Sequence, residues 1–187
     1  MIIKTSSGYI YDPSRRLEVP QLFLTHQGIE AETPQCERIL DIHHAAHPDT
    51  HNEGNNTISI GFISHYAQMR ARFGEHMQDG MAGENIIIAS EEQFWLDDLG
   101  QQIIIQAPKR ERQVVLDVIK FAVPCEEFSR YAANSQGERL PAEELKATLQ
   151  FLGGGRRGFL LNLNINQEPA LVKPGDLVFA VTTNGSS

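Results

Sequence analysis

The sequence has only two cysteines, Cys36 and Cys125, among its 187 residues. So little cysteine excludes a disulfide framework and predicts reduced thiols. No run approaches the roughly 18 consecutive apolar residues that a membrane span requires. The opening "MIIKTSSGYIYDPSRR" lacks the apolar stretch of a secretory leader, so a cytoplasmic protein without a membrane partner is expected. Basic side chains are also scarce. Sixteen Lys and Arg stand against 24 Asp and Glu, giving a net charge of −8. That balance argues against nucleic acid as a partner, because phosphate-rich partners need neutralising surface. It leaves room for a local basic pocket that takes a small anion. The sequence has no internal repeat and no low-complexity tract.

What is present reads mostly as strands separated by turns. "RRLEVPQLFLT" and "QQIIIQA" are short apolar segments bounded by polar residues. "RQVVLDVIKFAV" is longer and nearly continuous, the pattern of a strand covered on both faces. In "GFLLNLNINQ", Phe159, Leu161, Leu163 and Ile165 alternate with Asn162 and Asn164, which is strand period and predicts the apolar set toward the core. "KPGDLVFAVTT" predicts a turn at Pro174, Gly175 and Asp176, then a last strand. Two helices are expected. One follows Ser64 as N-cap, with Tyr66, Met69, Phe73 and Met77 on one stripe. The other begins at Pro141, buries Leu145, Leu149 and Leu152, and stops at three glycines. A shorter helical turn is expected after Cys125. Many strands with few helices predict a mainly β barrel or sandwich with helices outside it, in one domain over residues 1–187.

Four segments are candidates for chemistry. His43, His44, His47 and His51 lie close together, and imidazole is a common metal ligand. Pro48 disfavours a helix there and no cysteine pair accompanies the histidines, so "HHAAHPDTHNEGNN" reads as a solvated loop. In "DGMAGENIIIAS", Gly80 and Gly83 allow a tight turn that delivers Glu84 and Asn85 to the head of a strand, Ile86 to Ile88. In "LGGGRRGFLLNL", glycines and two arginines, Arg156 and Arg157, form either a helix C-cap running into a turn or an anion-binding loop. Cys125 follows Pro124, where strand gives way to loop or helix. A thiol at a helix N-terminus near arginine is a nucleophile or metal ligand, whereas an ordinary free cysteine is a small buried apolar residue.

The segments "GENIII", "LGQQIII", "FAVPCEEF", "GRRGFLLNL" and "KPGDLV" occur in the order and spacing of the MOSC domain, the family named for the C-terminal part of molybdenum-cofactor sulfurase. The resemblance is strongest over residues 58–181. It departs where many members have a G-D-R-H-like segment and this chain has "DTHNEGNNTISIGF". The resemblance implies a stand-alone bacterial-type member with a MOSC-type distorted β-barrel and an association with molybdenum cofactor (molybdopterin) or sulfur transfer. By position, Cys125 matches the family's cysteine, which ligates molybdenum or carries persulfide sulfur. Arg156 and Arg157 would then face the phosphate of the pterin, with Glu84 and Asn85 at the same site. Two functions follow as expectations. One is reduction of small N-hydroxylated or related substrates with electrons from a redox partner. The other is a non-redox sulfur carrier loaded by a cysteine desulfurase-type donor, any pyridoxal phosphate belonging to that separate partner. A third reading, drawn from the residues, is a barrel that binds a small anion through Gly153 to Arg157 without catalysis.

Overall fold

The computed structural model describes residues 2–6, 8–33, 35, 37–50, 57–109, 112–135 and 138–181. Cys36 and His51 lie outside the described residues. The chain forms two compact units, each assembled from three separate segments. The first unit comprises 1–17, 60–95 and 121–159, and the second 18–59, 96–120 and 160–187. The boundary passes through three strands that carry residues of both: β6 (Ile58–Phe62), β9 (Gln113–Phe121) and β10 (Phe159–Leu163).

The first unit opens with a hairpin, β1 (Ile2–Thr5) and β2 (Gly8–Tyr11). A single 3-10 turn, Pro13–Arg15, follows. Strand β6 runs directly into helix α1 (Ile63–Phe73), so Phe62 is both the last strand residue and the N-cap. Ser64 is therefore a residue within the helix and not its cap, which corrects the sequence reading. Its hydroxyl donates instead to the Glu92 carbonyl at 2.8 Å. The helix stops at Gly74, whose φ of 109° suits glycine. Met77 thus falls beyond the helix but is still fully buried. The unit also contains β7 (Ile86–Ile88), parallel to β6, and helices α3 (Glu126–Ala132) and α4 (Ala142–Leu152). Its core gathers Tyr11, Tyr66, Met69, Met77, Phe128, Ala132 and Leu152. Of the leucines expected inside α4, only Leu152 is fully buried; Leu145 and Leu149 are half-buried, and Thr148 is buried in their place.

The second unit contains a four-stranded antiparallel sheet and part of a six-stranded sheet whose last two strands, the parallel pair β6 and β7, belong mainly to the first unit. One sheet runs β11 (Ala170–Val172), β3 (Leu22–Thr25), β4 (Gly28–Glu32), β5 (Arg38–Leu40). The six-stranded sheet follows the order β12 (Leu177–Val181), β8 (Gln102–Gln106), β9, β10, β6, β7, and a short helix α2 (Leu96–Leu99) precedes β8. The mainly β class expected from sequence is what the chain forms. Alternation decides the faces. Ile103 and Ile105 of β8 and Val114 and Leu116 of β9 are buried, while Ile104 and Val115 between them are only half-buried. Strand β9 is therefore not covered on both faces, and Ile119 near its end is 46% exposed. In β10, Phe159, Leu161 and Leu163 face inward as expected, but the strand ends there and Ile165 is 80% exposed. Asn164 ends the alternation: its side-chain nitrogen donates to Asp117 at 2.8 Å, and its oxygen accepts from the Asn166 N–H at 3.0 Å to form a turn.

The histidine-rich loop is not uniformly solvated. His43 is exposed beside Asp41, but His44 is 2% exposed. The missing Cβ of Gly28 makes that possible, since a Cβ there would lie 2.7 Å from the His44 Cα. Among the described residues, no group of three or more His, Cys, Asp or Glu side chains is arranged to hold a metal ion, and no helix is long and apolar enough to cross a membrane.

Candidate functional site

Pro124 closes the extended segment after β9, and α3 begins two residues later. Cys125 is its N-cap, with extended backbone, φ −99° and ψ 165°. The sulfur accepts from the Phe128 N–H at 3.4 Å, taking the role a serine oxygen usually has at this position. The Cys125 carbonyl accepts from the Ser129 hydroxyl at 2.8 Å. The thiol is half-buried against the core of the first unit, so it is neither sealed inside nor fully in water.

After α4, the chain turns through Gly154 and Gly155, with φ of 71° and 118°. A Cβ at Gly155 would sit 2.3 Å from the Phe159 ring, so this turn needs glycine for space as well as for conformation. The two arginines that follow have different partners. The Arg156 Nε donates to the Gln68 Oε1 at 2.6 Å, and its guanidinium lies 4.8 Å from the Trp95 ring and 4.6 Å from the Phe151 ring. Arg157 donates to the Val123 carbonyl and lies 5.2 Å from the Phe128 ring, so its two partners stand on either side of Cys125 in the chain. Its Nε is buried without a hydrogen-bond partner.

Glu84 lies at the end of the turn made by Gly80 and Gly83, and Asn85 leads into β7; both are half-buried. The Tyr66 hydroxyl donates to the Glu84 Oε2 at 2.5 Å and accepts from the Ala82 N–H at 2.8 Å. Burial pushes the Glu84 carboxyl up to about 7, against the Tyr66 hydrogen bond and the cations Arg157 and Arg16, which favour the ionised form. Burial likewise raises the Tyr11 hydroxyl, which also experiences Arg157, Glu84, Arg16 and Cys125. Cys125, Arg157 and Glu84 are thus each within electrostatic reach of Tyr11.

Sequence reasoning missed three members of this cluster: Tyr11, Tyr66 and Arg16. Tyr66 was legible only as a core residue of the α1 stripe, although a buried phenol requires a polar partner. Arg16 is exposed and held by the carbonyls of Pro13 and Asp79. No local pattern marks it.

A second buried ionisable group shares the unit. His65 is fully buried and stacked on Trp95 at 5.3 Å. Burial, then Arg156, push it down to about 4. The two groups have opposite effects on stability. Glu84 binds its proton more tightly in the folded state, so its contribution is complete below pH 4.5 and is lost as pH rises through 7. His65 holds its proton less tightly when folded, so its contribution is complete above pH 6.5 and is lost as pH falls through 4. Each is worth about 3 kcal/mol, and they oppose one another between pH 4.5 and 6.5. Glu84→Gln is therefore expected to unmask a rise in stability with pH across that window in urea unfolding. A variant with the same profile as the parent would contradict the Glu84 shift.

A family model for the MOSC domain matches residues 47–179. The chain belongs to the MOSC domain family. This family is associated with molybdenum cofactor binding and sulfurase-related function. No curated protein matches the chain significantly in sequence. Among solved structures, the chain is similar to the YUAD protein from Bacillus subtilis, at 15% identity and a TM-score of 0.53, over 87% of this chain and 85% of that one. It is also similar to a hypothetical protein, at 13% identity and a TM-score of 0.54, over 94% of this chain and 65% of that one. At such identities the likeness concerns the fold alone. The MOSC match spans residues of both compact units and includes Glu84, Asn85, Cys125, Arg156 and Arg157.

Proposed function

We propose that this MOSC protein binds molybdenum cofactor with the Cys125 thiolate as a ligand of the metal, and reduces a small N-hydroxylated or related substrate in the cytoplasm with electrons from a redox partner. The observation that carries this reading is the placement of Arg157 beside a half-buried helix-capping thiol. The donor set fits the group. Thiolate is a soft ligand suited to a soft metal site, and guanidinium binds phosphate oxygens through paired hydrogen bonds. Arg157 is only half-buried, and its guanidinium has further N–H groups besides the one that meets the Val123 carbonyl. When bound, the cofactor supplies two-electron redox chemistry at the metal.

The chain's own residues would act around that group. Cys125 holds the metal, and the Phe128 N–H keeps the sulfur directed. Arg157 meets the negative charge of the cofactor phosphate. Arg156, fixed between Gln68, Trp95 and Phe151, braces the glycine turn that presents its neighbour. Glu84 and Asn85, just ahead of β7, would complete the surroundings of the site.

Purification from a host that makes molybdenum cofactor is expected to yield stoichiometric molybdenum and pterin, and purification from a host that cannot make the cofactor should yield neither. Arg157→Gln should lower the retained pterin while leaving the fold intact. Metal-free protein from both hosts with a persulfide on Cys125 would overturn this reading in favour of the sulfur carrier.

A further inference from the structure

Glu84 is the most confined carboxylate at the site. Its Oε2 is held by the Tyr66 hydroxyl, and its Oε1 is fully shielded with no hydrogen-bond partner. Two glycines make the space it occupies. A Cβ at Gly61 would lie 2.6 Å from Oε1, and one at Gly158 would lie 3.0 Å from Cγ and 3.2 Å from Oε1. Gly158 directly follows Arg157 in the chain. The carboxyl is thus wedged against the backbone that presents the arginine. The charged and titratable groups that bear on it come from each neighbouring segment: Tyr66 from α1, Tyr11 from β2, Arg16 from the turn after it, and Arg157.

We propose that Glu84 is a positioning residue for Arg157 and makes the electrostatic potential at Cys125 depend on protonation. A neutral Glu84 leaves the Arg157 cation uncompensated and favours an anionic ligand. An ionised Glu84 offsets that cation and disfavours the same ligand. Because burial places the carboxyl near 7, the change falls in the neutral range. This inference rests on the reading of Arg157 as the cation beside Cys125, and the experiment separates the two.

The test alkylates Cys125 with iodoacetate, an anion, and with iodoacetamide, which is neutral, and assigns the modified site by mass spectrometry. The thiolate attacks the CH2 carbon of either reagent and displaces iodide, so the ratio of the two rates cancels thiol ionisation and reports the local potential. In the parent, the iodoacetate-to-iodoacetamide ratio is expected to fall by roughly twofold as pH rises from about 6 to 8, the order of effect of one added charge acting through partly screened surroundings. Glu84→Gln should abolish that fall. Tyr66→Phe removes a hydrogen bond that favours the ionised carboxylate and should move the fall to higher pH. Arg157→Gln should lower the ratio at every pH. If Arg157→Gln leaves the ratio unchanged, the reading of Arg157 fails and this proposal with it. If Arg157→Gln lowers the ratio but the parent profile is flat, the Glu84 proposal alone is overturned. A Cys125 that neither reagent modifies in the folded protein overturns both.

Discussion

Cys125→Ser is expected to lose bound molybdenum entirely while changing unfolding free energy by less than about 1 kcal/mol. The two effects separate because the residue has two roles. As the N-cap of α3 it accepts from the Phe128 N–H, and serine is among the best residues for that position. As a metal ligand it supplies a soft, readily ionised sulfur, and a serine hydroxyl is harder and far less acidic. Metal analysis paired with urea unfolding reads both. A variant that retains molybdenum contradicts the ligand role, and one that unfolds readily makes Cys125 a core residue.

Gly158→Ala is expected to produce the largest loss of stability among single substitutions at the site, at least about 3 kcal/mol. Its φ of 99° is one that L side chains rarely adopt. The added Cβ would also lie 2.5 Å from the Ile60 carbonyl, a backbone atom that cannot rotate away. The Ala122 N–H donates to the Gly158 carbonyl at 2.8 Å, so displacement would also disturb the segment leading to Cys125. Gly61→Ala provides the contrast. The nearest atoms to its Cβ would all belong to the Glu84 side chain and none to backbone, so the stability loss should be smaller while the displaced carboxyl loses the pH response of the site. Equal losses in urea unfolding for the two variants would contradict this difference between backbone and side-chain obstruction.

Elements whose burial follows local alternation were legible in the sequence. A short apolar run located β8, period two located β10, the Pro-Gly-Asp turn located the start of β12, and Pro141 with three glycines bounded α4. The errors arose where distant segments decide the outcome. Ile165 continues the alternation of β10 but lies beyond the strand end, where Asn164 bonds to Asp117 and makes a turn instead. Ser64 has the chemistry of a cap, but the passage of β6 into α1 places it inside the helix. His44 is buried because Gly28, sixteen positions earlier, leaves space for it. Each compact unit is assembled from three segments, and no window of periodicity encodes that.

The site was legible in part for the same reason. Cysteine after proline, arginines after glycines and Glu84 at a strand head are local signals. The confinement of Glu84 depends on Gly61, Tyr66 and Gly158, three segments that only the fold brings to it. Arg16 and Tyr11 enter through the N-terminal segment, whose sequence has no motif.

The most direct test of the central claim is protection of Cys125 from iodoacetamide, compared between protein from a host that makes molybdenum cofactor and protein from one that does not. A half-buried thiol that ligates the metal should be alkylated in the native cofactor-free protein and protected in the molybdenum-loaded protein. Equal native labelling in both preparations, or no labelling in either until the chain unfolds, would contradict it.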